Sequence, residues 1–400
     1  MDQKKQNYIV IFSLWLLVFA ASSQIMIIAP ILPRIGEQLM INEQLLGTLI
    51  TAYALMTGFL AIFTGPISDK VGRRRILLYG TAGMAVALAL HGLAESYITL
   101  LLARAAAGGA GGILSGSAVS YVGDYFPYER RGWANGWIMS GIAMGQIVGI
   151  PLGILLAEHF GFQAPFLSFS LLMGGAFFLI FFFVPQPNVE RDTAKITIFN
   201  LFDKYKVMLK RSTIRAAALS YFLMFLSVSV YITFLPTWLE QHFGVTGNAI
   251  SGLFLVGGIA NVITGPNIGK LSDRIGRKQI ILISCYGFAA LMLATTYVLV
   301  DFWLAYPLFF ILMMLVAMRI SPFQALLTEL VTGRNRGALM SLLVAIGQVG
   351  FGIGGAIAGP AFTKGGFVVN TVIGAVMIIA MALLVWKYIP EPKMKSAVIK

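Results

Sequence analysis

The chain alternates between long apolar runs and short polar breaks, and the length of the runs sets the class of protein. Apolar stretches recur at about 8–32, 45–67, 76–94, 97–122, 133–157 and 163–185. They resume after a polar interval at 214–239, 248–271, 279–299, 302–328, 338–362 and 367–388. Each is long enough to cross roughly 30 Å of hydrocarbon as an α-helix. Backbone groups in hydrocarbon must pair within their own segment, so the pattern predicts helices, and the alternation of a membrane barrel is absent. The expectation is an all-α membrane protein of twelve transmembrane helices, divided at the polar interval into bundles 1–185 and 214–400 with a linker at 186–213.

Composition agrees. The 400 residues are 58% hydrophobic and 11% charged, against roughly 25% charged in a soluble domain, so a bilayer must serve as the solvent. A net charge of +13 could suggest nucleic acid. The basic residues, however, fall in short clusters between apolar runs, whereas a nucleic-acid footprint gathers them on one folded face. With the amino terminus inside, every Lys and Arg lies on a cytoplasmic segment except Arg34, Lys364, Arg104 and Arg319. By the positive-inside rule both termini are cytoplasmic, in a plasma membrane or bacterial inner membrane. Lys4, Lys5 and Ala20-Ala21-Ser22 imitate a cleaved leader, but the apolar run continues through Leu32, so the first helix is expected to stay.

Little else in the chain carries chemistry. Cys285 is alone and His91, His159 and His242 are scattered, so no metal and no cofactor is expected. Gly108–Gly112 lacks the preceding strand and following Lys-Ser/Thr of a phosphate loop, and no nucleophile–base set suggests an enzyme. In the linker, Ile198, Phe199, Leu201, Phe202, Tyr205, Met208 and Leu209 recur at helical spacing, with Lys204, Lys206, Lys210 and Arg211 on other faces. Two readings stand: a short helix lying on anionic lipids of the cytoplasmic leaflet, or a solvated linker.

An internal repeat is the strongest signal. Gly65, Asp69, Gly72, Arg73 and Arg74 recur as Gly269, Asp273, Gly276, Arg277 and Lys278 after the second apolar run of each half. Pro33 and Glu37 match Pro236 and Glu240, and Asp124 matches Glu329, at the same offset within a residue. Two such halves related by an axis along the membrane normal are a transporter plan. The duplicated Gly-x-x-x-Asp-x-x-Gly-Arg loops, with twelve helices, resemble the major facilitator superfamily over essentially the whole chain. Arg104 followed by Gly108 in helix four, and Gly145, Gly149, Pro151 and Gly153 in helix five, are similar to its drug and metabolite efflux branch. Ile150 departs from the adjacent Gly-Pro of that branch's antiporter motif.

The resemblance implies two pseudo-symmetric six-helix bundles, transport by alternating access, and gating clusters of Asp69, Arg73 and Asp124 in one half and Asp273, Arg277 and Glu329 in the other. It also implies that helices one, four, seven and ten line a cavity. Candidate substrate contacts there are Gln24, Arg104, Tyr221, Ser227, Tyr231 and Arg319, and the repeat offset puts Ser227 opposite Gln24. An arginine at bilayer depth costs about 2.5–3.5 kcal/mol on insertion scales, and no Asp or Glu lies centrally in any helix to offset it. Arg319 therefore binds an anionic or acceptor-rich substrate, hydrates or braces the cavity, or snorkels to the cytoplasm. The expected function is proton-coupled efflux of a small organic solute, neutral or anionic rather than cationic. The alternative is a uniporter or symporter of an anionic metabolite with Arg319 as counter-ion. A monomer suffices for either.

Overall fold

A peptide group in hydrocarbon has no partner but its own helix, and the chain meets that demand throughout. The computed structural model describes residues 3–187, 198–331 and 333–391, with no strand among them. The helices are α1 (Gln3–Met26), α2 (Ile28–Leu39), α3 (Glu43–Leu46), α4 (Thr48–Val71), α5 (Arg73–Leu90), α6 (Tyr97–Leu114), α7 (Ser117–Tyr125) and α8 (Tyr128–Met144). They continue with α9 (Ile150–Phe160), α10 (Gln163–Phe183), α11 (Ile198–Leu209), α12 (Ser212–Phe243), α13 (Gly247–Ile275), α14 (Arg277–Val298), α15 (Ala305–Thr328) and α16 (Gly333–Tyr388).

Among the described residues, eleven stretches are long and apolar enough to cross a membrane, against the twelve expected. The last, Gly337–Tyr388, has 52 residues, roughly 78 Å at 1.5 Å per residue and over twice a bilayer core. It is interrupted at Gly365 and Gly366, where Gly366 has φ 67° and ψ −174°.

Packing repeats between the two parts of the chain. In the first, α1 lies against α8 and α10, α4 against α6, and α5 against α6 and α10. In the second, α12 lies against α16, α13 against α15, and α14 against α15 and α16. The repeated loops also share a backbone turn. Gly72 has φ 103° and ψ 140°, and Gly276 has φ 114° and ψ 131°, a conformation side chains resist. Each turn ends one long helix and starts the next, α4 to α5 and α13 to α14.

The two parts meet along α4 with α16, and along α9 and the turn before it with α13. Thr51 Oγ donates to Gly352 O at 2.6 Å, Gln241 Nε2 to Glu43 Oε1 at 2.7 Å, and Asn261 Nδ2 to Gln146 Oε1 at 3.1 Å. These contacts run from the end opposite the basic loops to about the middle of the helices. Nearer the basic loops, Ile62 of α4 and Leu342 of α16 border a cavity of about 500 Å³.

Candidate functional site

Arg104, on α6, is 1% exposed. Its guanidinium donates through Nη1 to Gln24 Oε1 at 3.3 Å and through Nε to Leu49 O at 3.5 Å. It also stands 4.6 Å from the centre of the Tyr53 ring, an attraction of about 2 kcal/mol when desolvated. Gln24 closes the set by donating Nε2 to the Tyr53 hydroxyl at 3.0 Å. α1, α4 and α6 thus converge on one buried unit in which a carbonyl, an amide and an aromatic face answer the charge. Tyr53 escaped the sequence analysis because helix two was not counted among the cavity helices. His91, dismissed there as scattered, lies fully buried beside this unit, with Nδ1 2.8 Å from Ala87 O and its ring stacked on Phe166 at 4.3 Å.

Arg319 has a different environment. It is 0% exposed, which rules out snorkelling to solvent, and its guanidinium lies 4.3 Å from the centre of the Phe288 ring on α14. Among the described residues, none of its Nε, Nη1 and Nη2 atoms has a hydrogen-bond partner. An aromatic face answers this charge, while three donor atoms find no acceptor among those residues.

The helix-seven candidates are engaged within the second half. Ser227 Oγ donates to Gly374 O at 2.7 Å. Tyr231 pairs with Thr295 Oγ at 3.0 Å and sets its ring against Phe288 and Phe367. Tyr221 stacks on Phe323 and touches Phe225. Hence Ser227, although Gln24's repeat partner, contacts neither arginine; its hydroxyl donates to a backbone carbonyl of α16.

Four of the residues expected to gate form two ion pairs, one in each half. Arg73 Nε meets Asp124 Oδ2 at 2.6 Å and its Nη1 donates to Ser68 Oγ at 3.0 Å. Arg277 Nη1 meets Glu329 Oε1 at 2.6 Å. The side chains of Asp69 and Asp273 lie outside the described set. The next basic residue of each loop caps a helix end, a role the sequence analysis missed. Arg74 Nη2 donates to Phe181 O at 2.6 Å, and Lys278 Nζ to Trp386 O at 2.6 Å. Opposite them, Gln186 Oε1 accepts from Arg74 N at 3.3 Å, while Glu391 accepts from Arg277 N at 2.8 Å and Lys278 N at 2.9 Å. The signal was present: Pro185-Gln186-Pro187 recurs as Pro390-Glu391-Pro392.

Helix five carries its motif on the face toward α1. Gly145 to Gly149 form one π-turn immediately before Pro151. A side chain at Gly149 would meet Ser23, and one at Gly153 would meet Ile27. The motif residues therefore seat α9 against α1. Because proline has no N–H to give to the preceding turn, a wider turn just before it is a local solution.

Comparison with known proteins follows the same lines. A family model described as the Major Facilitator Superfamily matches residues 14–219 and again 217–400. The multidrug resistance protein MdtG of Proteus mirabilis (strain HI4320) is 29% identical over 359 residues, 86% of each chain. The uncharacterized MFS-type transporter YceJ of Bacillus subtilis (strain 168) is 27% identical over 350 residues, 86% of this chain and 88% of that one. A crystal structure of a D-xylose-proton symporter superposes with a TM-score of 0.80 at 18% identity, over 97% of this chain and 99% of that one. The human organic anion transporter MFSD10 (TETRAN) gives 0.70 at 17%, over 96% and 100%.

Proposed function

The chain belongs to the Major Facilitator Superfamily, and from that premise we propose that it exports a small organic compound by alternating access, in exchange for protons. The observation that carries this reading is the alignment of a protein named for multidrug resistance with 86% of this chain and of itself. Twelve crossings, six per half, with both termini on the cytoplasmic side of a bacterial inner membrane, belong to the same proposal. The break at Gly365 and Gly366 supports counting the last stretch as two crossings, and the clustering of basic residues supports the orientation.

Charge at depth narrows the cargo. Two buried guanidiniums, Arg104 and Arg319, lie within the helices without a carboxylate among their contacts. A cationic drug brought near them would be repelled in a medium of low dielectric. The cargo is therefore a neutral or anionic compound. The second reading, an anionic metabolite carried with Arg319 as counter-ion, is favoured by the three unused donors of that side chain.

Everted membrane vesicles test this. With respiration holding the interior acid, addition of an exported neutral or anionic compound is expected to discharge the pH gradient, and cationic dyes are not. Accumulation that persists after the gradient is collapsed would remove the proton coupling. Transport confined to anions and abolished in Arg319→Gln would replace the first reading with the second.

A further inference from the structure

The cavity at the basic end has a composition that neither export nor the gating pairs explain. Three cations line it, Lys206 of α11, Lys210 in the turn that follows and Arg215 of α12, together with the apolar Ile62, Leu209 and Leu342. The volume of about 500 Å³ is in the range of small-ligand sites. It accepts a charged head and the first segments of a chain. Arg215 Nη1 also donates to the Lys210 backbone carbonyl at 3.4 Å, which ties its guanidinium to the turn after α11.

Like charges gathered over an apolar slot call for an occupant with an anionic head and a hydrocarbon body. A free phosphate compound would satisfy the cations and leave the walls wet. A neutral lipid would fill the walls and leave the cations unanswered. We infer that this cavity is a binding site for one anionic phospholipid, its phosphate held by Lys206, Lys210 and Arg215 and its chain seated between Ile62 and Leu342. The inference rests on the membrane location of the chain and not on the export reading.

The linker helix is the element this changes most. Tyr205 and Met208 are 5% and 6% exposed, so these apolar residues face protein and not a leaflet. α11 touches both α12 and α16. The lipid completes that contact on the side of α4, and a single molecule then touches both halves and the segment joining them. Bound there, it opposes closure of α4 on α16 at this end.

Native mass spectrometry of the purified full chain, titrated with phosphatidylglycerol, phosphatidylcholine or inorganic phosphate, tests the site. The parent is expected to retain one phosphatidylglycerol. Each lysine facing an anionic headgroup contributes enough that Lys206→Gln with Lys210→Gln should weaken retention roughly tenfold or more. The charge-matched control Arg130→Gln with Lys387→Gln should retain it as the parent does. Leu342→Trp fills the slot with every cation in place and should also lose the lipid. Retention unchanged in the double-lysine variant would overturn the inference. So would equal retention of phosphatidylcholine, equal loss in the control, or displacement of the lipid by inorganic phosphate at similar concentration. None of these outcomes bears on transport in vesicles, so the two proposals fail separately.

Discussion

Two buried arginines sit in one molecule with opposite bookkeeping. Arg104 is answered by Gln24, Leu49 and the Tyr53 ring, whereas Arg319 has, among the described residues, the Phe288 ring and no hydrogen-bond acceptor. Arg104→Gln removes two charge-assisted hydrogen bonds and strands the Gln24 carbonyl, at about 1–3 kcal/mol. Arg319→Gln loses a cation–π contact of about 2 kcal/mol and escapes a burial cost of about 2.5–3.5 kcal/mol. Detergent-solubilised Arg319→Gln should therefore melt within a few degrees of the parent, and Arg104→Gln clearly lower. The reverse order would show that Arg319 braces the fold. Both arginines stood out in the sequence because guanidinium at depth is expensive. Their surroundings did not, since helical periodicity names a face without naming the neighbour that meets it. Ser227 makes the point: the repeat placed it opposite Gln24, yet a hydroxyl reaches only the nearest carbonyl and Gln24 reaches two side chains.

The elements show where the repeat is kept and where it has drifted. Each half starts its third helix under a side chain from its own C-terminal end, Gln186 over α5 and Glu391 over α14. A carboxylate at a helix N-terminus is favoured by about 0.3–1 kcal/mol. Gln186→Glu should slow hydrogen exchange at residues 74–77, and Glu391→Gln should speed it at residues 278–281, with little change in the global melt. No local change in either variant would mean that solvent screens both caps. The sequence displayed the Pro-x-Pro pair but not its target, because 112 to 114 residues separate partner from partner. The helix-five glycines allow a sharper test. Gly149→Ala would drive a methyl group into Ser23, and the nearest atom left after Ser23→Gly is the Cα, 3.4 Å away. Overpacking costs typically 1–3 kcal/mol. The single variant should lose stability and transport, and the double variant should regain most of both. Failure of the rescue would indicate that the glycine serves something other than close approach to α1.

For the whole molecule, the all-helical class and the repeat were legible because apolar length and motif spacing are properties of the chain itself, while the count of twelve met eleven spanning stretches among the described residues, the last of them doubly long. Which end is sealed was not, because apolar length and motif spacing do not say which helix ends meet across the seam. The sealed end carries a charge cluster that sets its stability. Arg34 of α2 meets Glu37 at 2.9 Å and Glu158 of α9 at 4.0 Å. Glu240 of α12, from the other half, lies in the field of all three. Arg34 thus pairs with two carboxylates of its own half and attracts a third across the seam, which the nearby Gln241 to Glu43 hydrogen bond crosses as well. Arg34→Gln leaves like charges facing one another across a partly desolvated junction, where repulsion is poorly screened. The seam is expected to part above neutral pH, where the carboxylates of both halves all carry charge. Acid neutralises carboxylates, so lowering the pH should draw it together again, the sign opposite to that for a seam made of arginine–carboxylate pairs. Spin labels at Met40 and His242, exposed residues on opposite halves at this end, report the separation. A longer distance in Arg34→Gln at alkaline pH that shortens on acidification is the expected result. Identical distances in parent and variant at both pH values would mean that α4 and α16 alone hold this end closed.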